Sequence, residues 1–138
     1  MNRFTNILKV LAVITIAIGL FHEAFGLRAE VILGADLSEA TIDNPVLDSQ
    51  NRFYGVIFIC YGVLVFLSAT DLPKYVTVFR ILAGFLFLGG IARLFSIAQV
   101  GMPSMPIILL MLVELIVPPI LLWWHNRLLK QSWPIIPE

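Results

Sequence analysis

The chain has 138 residues, 59% hydrophobic and 13% charged, and its nine basic and nine acidic residues cancel to a formal net charge of zero. Soluble domains carry about a quarter charged residues, and a chain this short could not cover so much apolar surface with so few polar groups, so composition places it in a lipid bilayer. The balanced charge, without a basic run or aromatic-basic interleaving, excludes nucleic acid as a partner, and the lone Cys60 excludes an internal disulfide or paired-thiol motif.

In chain order, the first apolar stretch covers 6–27 and is preceded by Arg3, with Lys9 near its start. A secretory signal begins in the same way, but no small-x-small pattern follows at His22, Glu23, Ala24, Phe25 and Gly26, so a retained first helix is expected. Residues 28–51 form the one long connection and hold Glu30, Asp36, Glu39, Asp43 and Asp48, an acidic excursion outside the membrane that can form a short interfacial helix. A second helix is expected over 52–70. The turn Asp71-Leu72-Pro73-Lys74 is too short for anything but an antiparallel hairpin with a third helix over 76–99. The turn Gly101-Met102-Pro103-Ser104 leads into a fourth helix over 105–126, with Ser104 as its N-cap and Pro106 in its first turn. Residues 127–138 are then a tail.

Each stretch has the roughly 20 residues needed to cross about 30 Å of hydrocarbon. The runs are continuous and lack the alternation of a membrane barrel. The expected fold is all-α and integral to the membrane: an antiparallel bundle of four transmembrane helices with one long acidic outer loop.

Orientation follows from the enrichment of Lys and Arg at cytoplasmic flanks. Arg3, Lys9, Lys74, Arg80, Arg127 and Lys130 fall on one side, against Arg28 and Arg52 on the other. Both termini are therefore expected in the cytoplasm and the acidic loop outside. Trp123, Trp124 and Tyr75 fall where an inner aromatic belt would lie, and Tyr54 where an outer one would.

Charged groups at membrane depth are costly and face water or the protein interior. At about 1.5 Å rise per residue, Arg93 lies roughly 9 Å below the outer end of the third helix and Glu114 roughly 15 Å below that of the fourth, within reach of a pair. His22 and Glu23 come to nearly the depth of Arg93, and Arg52 lies just above. Gly19, His22, Glu23 and Gly26 share one helical stripe; Gly89, Ala92, Arg93 and Ser96 share another, and Gly55 and Gly62 are seven apart. Small residues on such stripes let backbones approach closely. Pro118 and Pro119 cannot donate to the carbonyls of Glu114 and Leu115, freeing two acceptors beside the carboxylate. An Arg93–Glu114 pair either fixes helix register or belongs to a binding or transport site, and Arg93 can also snorkel to headgroups. Cys60 is expected as a small core residue.

Catalytic patterns are sparse. One cysteine and two histidines, His22 and His125, expected on opposite membrane sides, make neither a metal site nor a nucleophile triad. The glycines are spread through helices rather than gathered into a phosphate-binding loop. Glu23 and Glu114 can form an acid/base pair, but their spacing does not require it.

The runs DSQNRFYGVIF, GGIARLFSIAQVGMPS and LVELIVPP, carrying Arg52 with Gly55, Gly90 with Arg93, Gly101 with Pro103, and Glu114, resemble the bacterial family catalogued as domain of unknown function 4345. The likeness spans nearly the whole chain and implies a small four-helix membrane protein similar to the broader DoxX-like group. It implies no reaction. DoxX-like proteins are linked to membrane oxidoreductase assemblies, whereas this chain offers no redox group of its own.

The expectation drawn from these features is a multi-pass bacterial inner-membrane protein without catalytic residues, metal or cofactor. It would serve as an accessory or interaction subunit, or bind a small amphipathic ligand in an outward-facing polar pocket. Arg93 and Glu114 would form the buried pair, Arg52 would close the pocket, and His22 with Glu23 would set its pH response. Beyond the bilayer, its partners would be another membrane protein or further copies of itself. The alternatives are a proton-coupled transporter using Glu114 and an intramembrane lipid-modifying enzyme or oxidoreductase accessory.

Overall fold

A computed structural model of the chain describes residues 2–132. Helices α1 (Asn2–Phe25), α2 (Arg28–Ile32), α3 (Glu39–Ile42), α4 (Pro45–Thr70), α5 (Val76–Val100) and α6 (Met105–Ser132) follow one another, and no strand occurs among the described residues. By length and composition α1, α4, α5 and α6 can each cross a membrane. Their outer faces expose large apolar side chains, including Val13, Phe53, Ile81, Leu88, Phe95 and Trp123. Such a surface would be an association hazard in water and suits hydrocarbon.

The helix limits differ from the sequence reading in ways that local chemistry explains. α4 begins at Pro45 rather than near residue 52, because Asn44 caps it: its side-chain oxygen accepts from the Val46 and Leu47 N–H groups, with Pro45 at the first helical position. The acidic excursion is thus shortened and holds two short helices, the second capped by Ser38. α6 continues through Pro118 and Pro119 to Ser132. Residues 133–138 of the expected tail lie outside the described residues. At the turn between α4 and α5, Asp71 accepts the Lys74 N–H through its carboxylate and the Tyr75 N–H through its carbonyl. Ser104 precedes α6, but its hydroxyl turns away from the helix and donates to the Leu33 carbonyl at 3.2 Å.

α1 packs along α4, and α5 along α6, far more closely than either pair packs on the other. The first pairing rests on glycine. A Cβ placed on Gly19 would lie 2.5 Å from the Gly55 carbonyl oxygen, and one on Gly62 would lie 2.8 Å from that of Ala12. Backbones this close leave room for hydrogen alone, the small-residue contact that membrane helices use where hydrophobic driving force is absent. In the second pair, Gly90 serves the same purpose beneath Leu115 and the Cβ of Glu114.

Two connections hold the pairs together at opposite ends. At one end Phe4 sits edge-on to Phe79 and Trp124, with ring centroids 5.9 and 5.2 Å apart, and His125 lies 4.7 Å from Phe79. This knot joins α1, α5 and α6, and Leu8, Ala12, Val65, Ala69, Leu72 and Leu82 continue the core around Phe4 and Phe79. At the other end the Ser104–Leu33 bond ties the two connections. Between them the Tyr61 hydroxyl donates across to the Leu82 carbonyl at 2.9 Å. Elsewhere between the pairs the packing leaves a cavity.

Candidate functional site

The cavity has a volume of about 650 Å³ and is walled by α1, α4, α5 and α6. Its lining is overwhelmingly apolar, with Leu11, Ile18, Phe58, Leu86, Val117 and Leu121 among its walls. This volume falls within the roughly 300–1,000 Å³ of pockets that hold small molecules, which combine apolar walls with a few placed polar groups.

The charged groups come from α5 and α6, while Thr15 on α1 and Tyr54 and Tyr61 on α4 add hydroxyls to the lining. Gly89, Ala92, Arg93 and Ser96, expected on one stripe, all line the cavity. Arg93 Nε donates to Glu114 Oε2 at 2.7 Å and Nη2 donates to Oε1 at 3.3 Å, a two-point fork on the carboxylate. The burial is unequal: the Glu114 side chain is 4% exposed and that of Arg93 33%. Arg93 covers the carboxylate and carries the accessible face of the pair. Its Nη1, with two N–H donors, has no protein partner among the described residues.

The other expected site residues gather elsewhere. Arg52 Nε donates to Asp48 Oδ2 at 2.8 Å and its Nη1 donates to the Glu23 carbonyl, while Asp48 Oδ1 accepts the Leu27 N–H at 2.9 Å. This clamp fastens the end of α1 to the start of α4. Gly26 fits within it at φ +55, where any Cβ would collide with the Asp48 carboxylate. His22 contacts its own helix through Nδ1 and the Ile18 carbonyl at 2.9 Å, and its Nε2 lies 3.5 Å from Glu30 Oε1. The Glu23 side chain is exposed. None of His22, Glu23 and Arg52 lines the cavity, so the structure brings Arg93 and Glu114 together and places the other three in an α1–α4 junction.

Three features escaped the sequence reading. Asn51 is buried, donating to Glu30 Oε1 at 3.1 Å, and its Oδ1 lacks a hydrogen-bond partner. His125, expected on the side of the membrane opposite His22, is fully buried in the aromatic knot, and neither ring nitrogen has a hydrogen-bond partner. Cys60, expected in the core, is exposed on α4, because the α4 face toward α1 is taken by Gly55 and Gly62. Two residues before Gly62, Cys60 lies about 160° round the helix, on the opposite face. Among the described residues no three His, Cys, Asp or Glu side chains converge as metal ligands would.

Fold and site together define an all-helical protein with four membrane-length helices and a charged pair in the wall of an apolar cavity. The chain belongs to the family described as Domain of unknown function (DUF4345), whose model matches residues 4–125. The match takes in α4 and α5 entire, the Arg93–Glu114 pair and the aromatic knot from Phe4 to His125. No curated protein and no solved structure matches the chain.

Proposed function

We propose that the chain is a multi-pass protein of the bacterial inner membrane that binds a small amphipathic molecule between its two helix pairs, without catalysing a reaction. The carrying observation is the cavity of about 650 Å³ whose apolar walls contain one accessible charged group, Arg93, already neutralised by Glu114 and still holding unused donors. A buried pair that served helix register alone would need no such space beside it.

In this reading the four long helices run antiparallel, a pairing consistent with Arg80 bonding to Asn126 while Arg93 bonds to Glu114. Both termini lie in the cytoplasm, because Arg3, Lys9, Lys74, Arg80, Arg127 and Lys130 belong to the end marked by the aromatic knot. Glu30, Asp36, Glu39 and Asp43 belong to the opposite, outer end. The proton-coupled transporter reading needs a water path through the cytoplasmic half, where Phe4, Phe79, Trp124 and His125 are packed ring against ring.

Filling the cavity tests the binding reading. A Cβ on Gly89 would meet only Glu114 Oε2, at 3.9 Å, so Gly89→Leu projects a side chain into the cavity without displacing backbone. Helical content should persist while amphiphiles co-purifying with the wild type, read by native mass spectrometry, disappear. Equal occupancy in both proteins would remove the cavity from the account.

A further inference from the structure

We infer that the cavity selects amphiphiles with an uncharged, hydrogen-bond-accepting head, such as an ester or other carbonyl, over amphiphiles of the same chain with an anionic head. The inference rests on the binding reading above and specifies its ligand class.

The head position is set by exposure. Of the two charged groups, Arg93 is one-third exposed and Glu114 almost wholly covered, so a ligand meets the guanidinium and not the carboxylate. The bonds to Glu114 use the Nε N–H and one N–H of Nη2, which leaves the two N–H groups of Nη1 and the second of Nη2. A guanidinium has donors and no acceptor, so the head must accept. A head that can only donate, such as an ammonium, has no partner there.

The charge of the head is set by Glu114. The lone cation in the lining is already matched by a carboxylate held at two points. A second anion would share that cation in a low-dielectric wall and would leave one negative charge desolvated without a counterpart, the costly arrangement of buried ions. If it captured Arg93 outright, the stranded group would be Glu114, which has almost no contact with solvent. A neutral carbonyl takes the unused donors and strands nothing.

The tail follows from the walls. From Arg93 to Phe79 along α5 is about 20 Å at the helical rise, and the lining over that length is mostly apolar, through Ile14, Leu86 and Leu121 to Leu8, with the Thr15 and Tyr61 hydroxyls already donating to the Leu11 and Leu82 carbonyls. A flexible hydrocarbon chain fits this shape, with its head at Arg93 and its end toward the aromatic knot.

Methyl palmitate and palmitate share a chain and differ in head charge. Titrated into the full-length protein in detergent at a pH well above the carboxylate range, with occupancy counted by native mass spectrometry, the ester is expected to bind at least about tenfold more tightly. In the double variant Arg93→Met with Glu114→Met, which replaces the pair by apolar side chains and so avoids stranding a charge, that preference should collapse to within about twofold. Equal binding of ester and acid by the wild type, or tighter binding of the acid, would overturn the head-group inference and leave the binding reading standing. Persistence of the preference in the double variant would overturn the assignment to Arg93. Failure of both probes to bind would overturn the binding reading and this inference with it.

Discussion

Arg93 reaches from α5 to α6 and fastens both oxygens of Glu114, covering the carboxylate while remaining one-third exposed itself. The two halves of the pair therefore do not contribute alike. Arg93→Gln strands a carboxylate that is sealed from solvent and should cost about 3 kcal/mol, the low end for a broken buried pair because Arg93 is partly exposed. Glu114→Gln leaves a cation that can still turn toward the cavity mouth and should cost less. Thermal unfolding in detergent would show the double variant losing well under the sum of the two single losses; strictly additive losses would mean that the groups are not coupled.

Glycines at the α1–α4 contact should respond differently from a glycine with open surroundings. A Cβ on Gly55 would lie 2.8 Å from the Gly19 carbonyl oxygen and 3.0 Å from the Glu23 nitrogen, backbone atoms that cannot give way singly. Gly55→Ala is thus expected to destabilise by about 1–3 kcal/mol through overpacking. Gly84, also within a long helix, has nothing within 4 Å of the same position, so Gly84→Ala should be neutral or stabilising by up to about 1 kcal/mol through helix propensity. Melting curves of the two variants, measured side by side, check the contrast.

Cys60 reports on whether α4 crosses the bilayer. It is the only cysteine in the chain and is exposed near the middle of a 26-residue apolar helix, so lipid rather than water should surround it. In sealed vesicles a lipid-soluble maleimide should label it, and a charged maleimide should label it only after the membrane is dissolved and the chain denatured. Rapid labelling of intact vesicles by the charged reagent would mean that α4 does not lie within hydrocarbon.

His125 is buried against Phe4 and Phe79 with no hydrogen-bond partner at either ring nitrogen. A buried polar group without good partners costs free energy relative to an apolar isostere. His125→Phe keeps the aromatic packing and removes the desolvated nitrogens, so a gain of about 1 kcal/mol in stability is expected. A loss larger than that would show that the imidazole contributes a stabilising interaction that ring packing does not replace.

Much of this protein could be read from its residues one helix at a time. Apolar length alone identifies the four helices able to span a membrane, since a continuous run of that thickness has few other uses, and Asp71 and Gly101 mark two of the breaks. Counting rise from the helix ends also brought Arg93 and Glu114 to the same region, because a charge in hydrocarbon has few places to find a partner. The start of α4 was misplaced because the cue was local and overlooked: Asn44 followed by Pro45 is a cap and first-turn signal.

What the tertiary structure alone decided is how the helices are grouped and what lies between them. In water an amphipathic stripe marks the buried face of a helix, but here the long helices are apolar on most of their circumference, so hydropathy does little to distinguish outer face from core. That is why Cys60, expected in the core, is exposed, and why His22, Glu23 and Arg52, expected beside the Arg93–Glu114 pair, do not touch it. Close backbone contact at Gly19, Gly55 and Gly62 commits α1 to α4, Arg93 with Glu114 and Gly90 commits α5 to α6, and the cavity exists because the two pairs meet chiefly at their ends. Composition and length are sums over single residues and are carried by the sequence itself; a cavity is the space that several helices fail to fill, and it has no counterpart in any one of them.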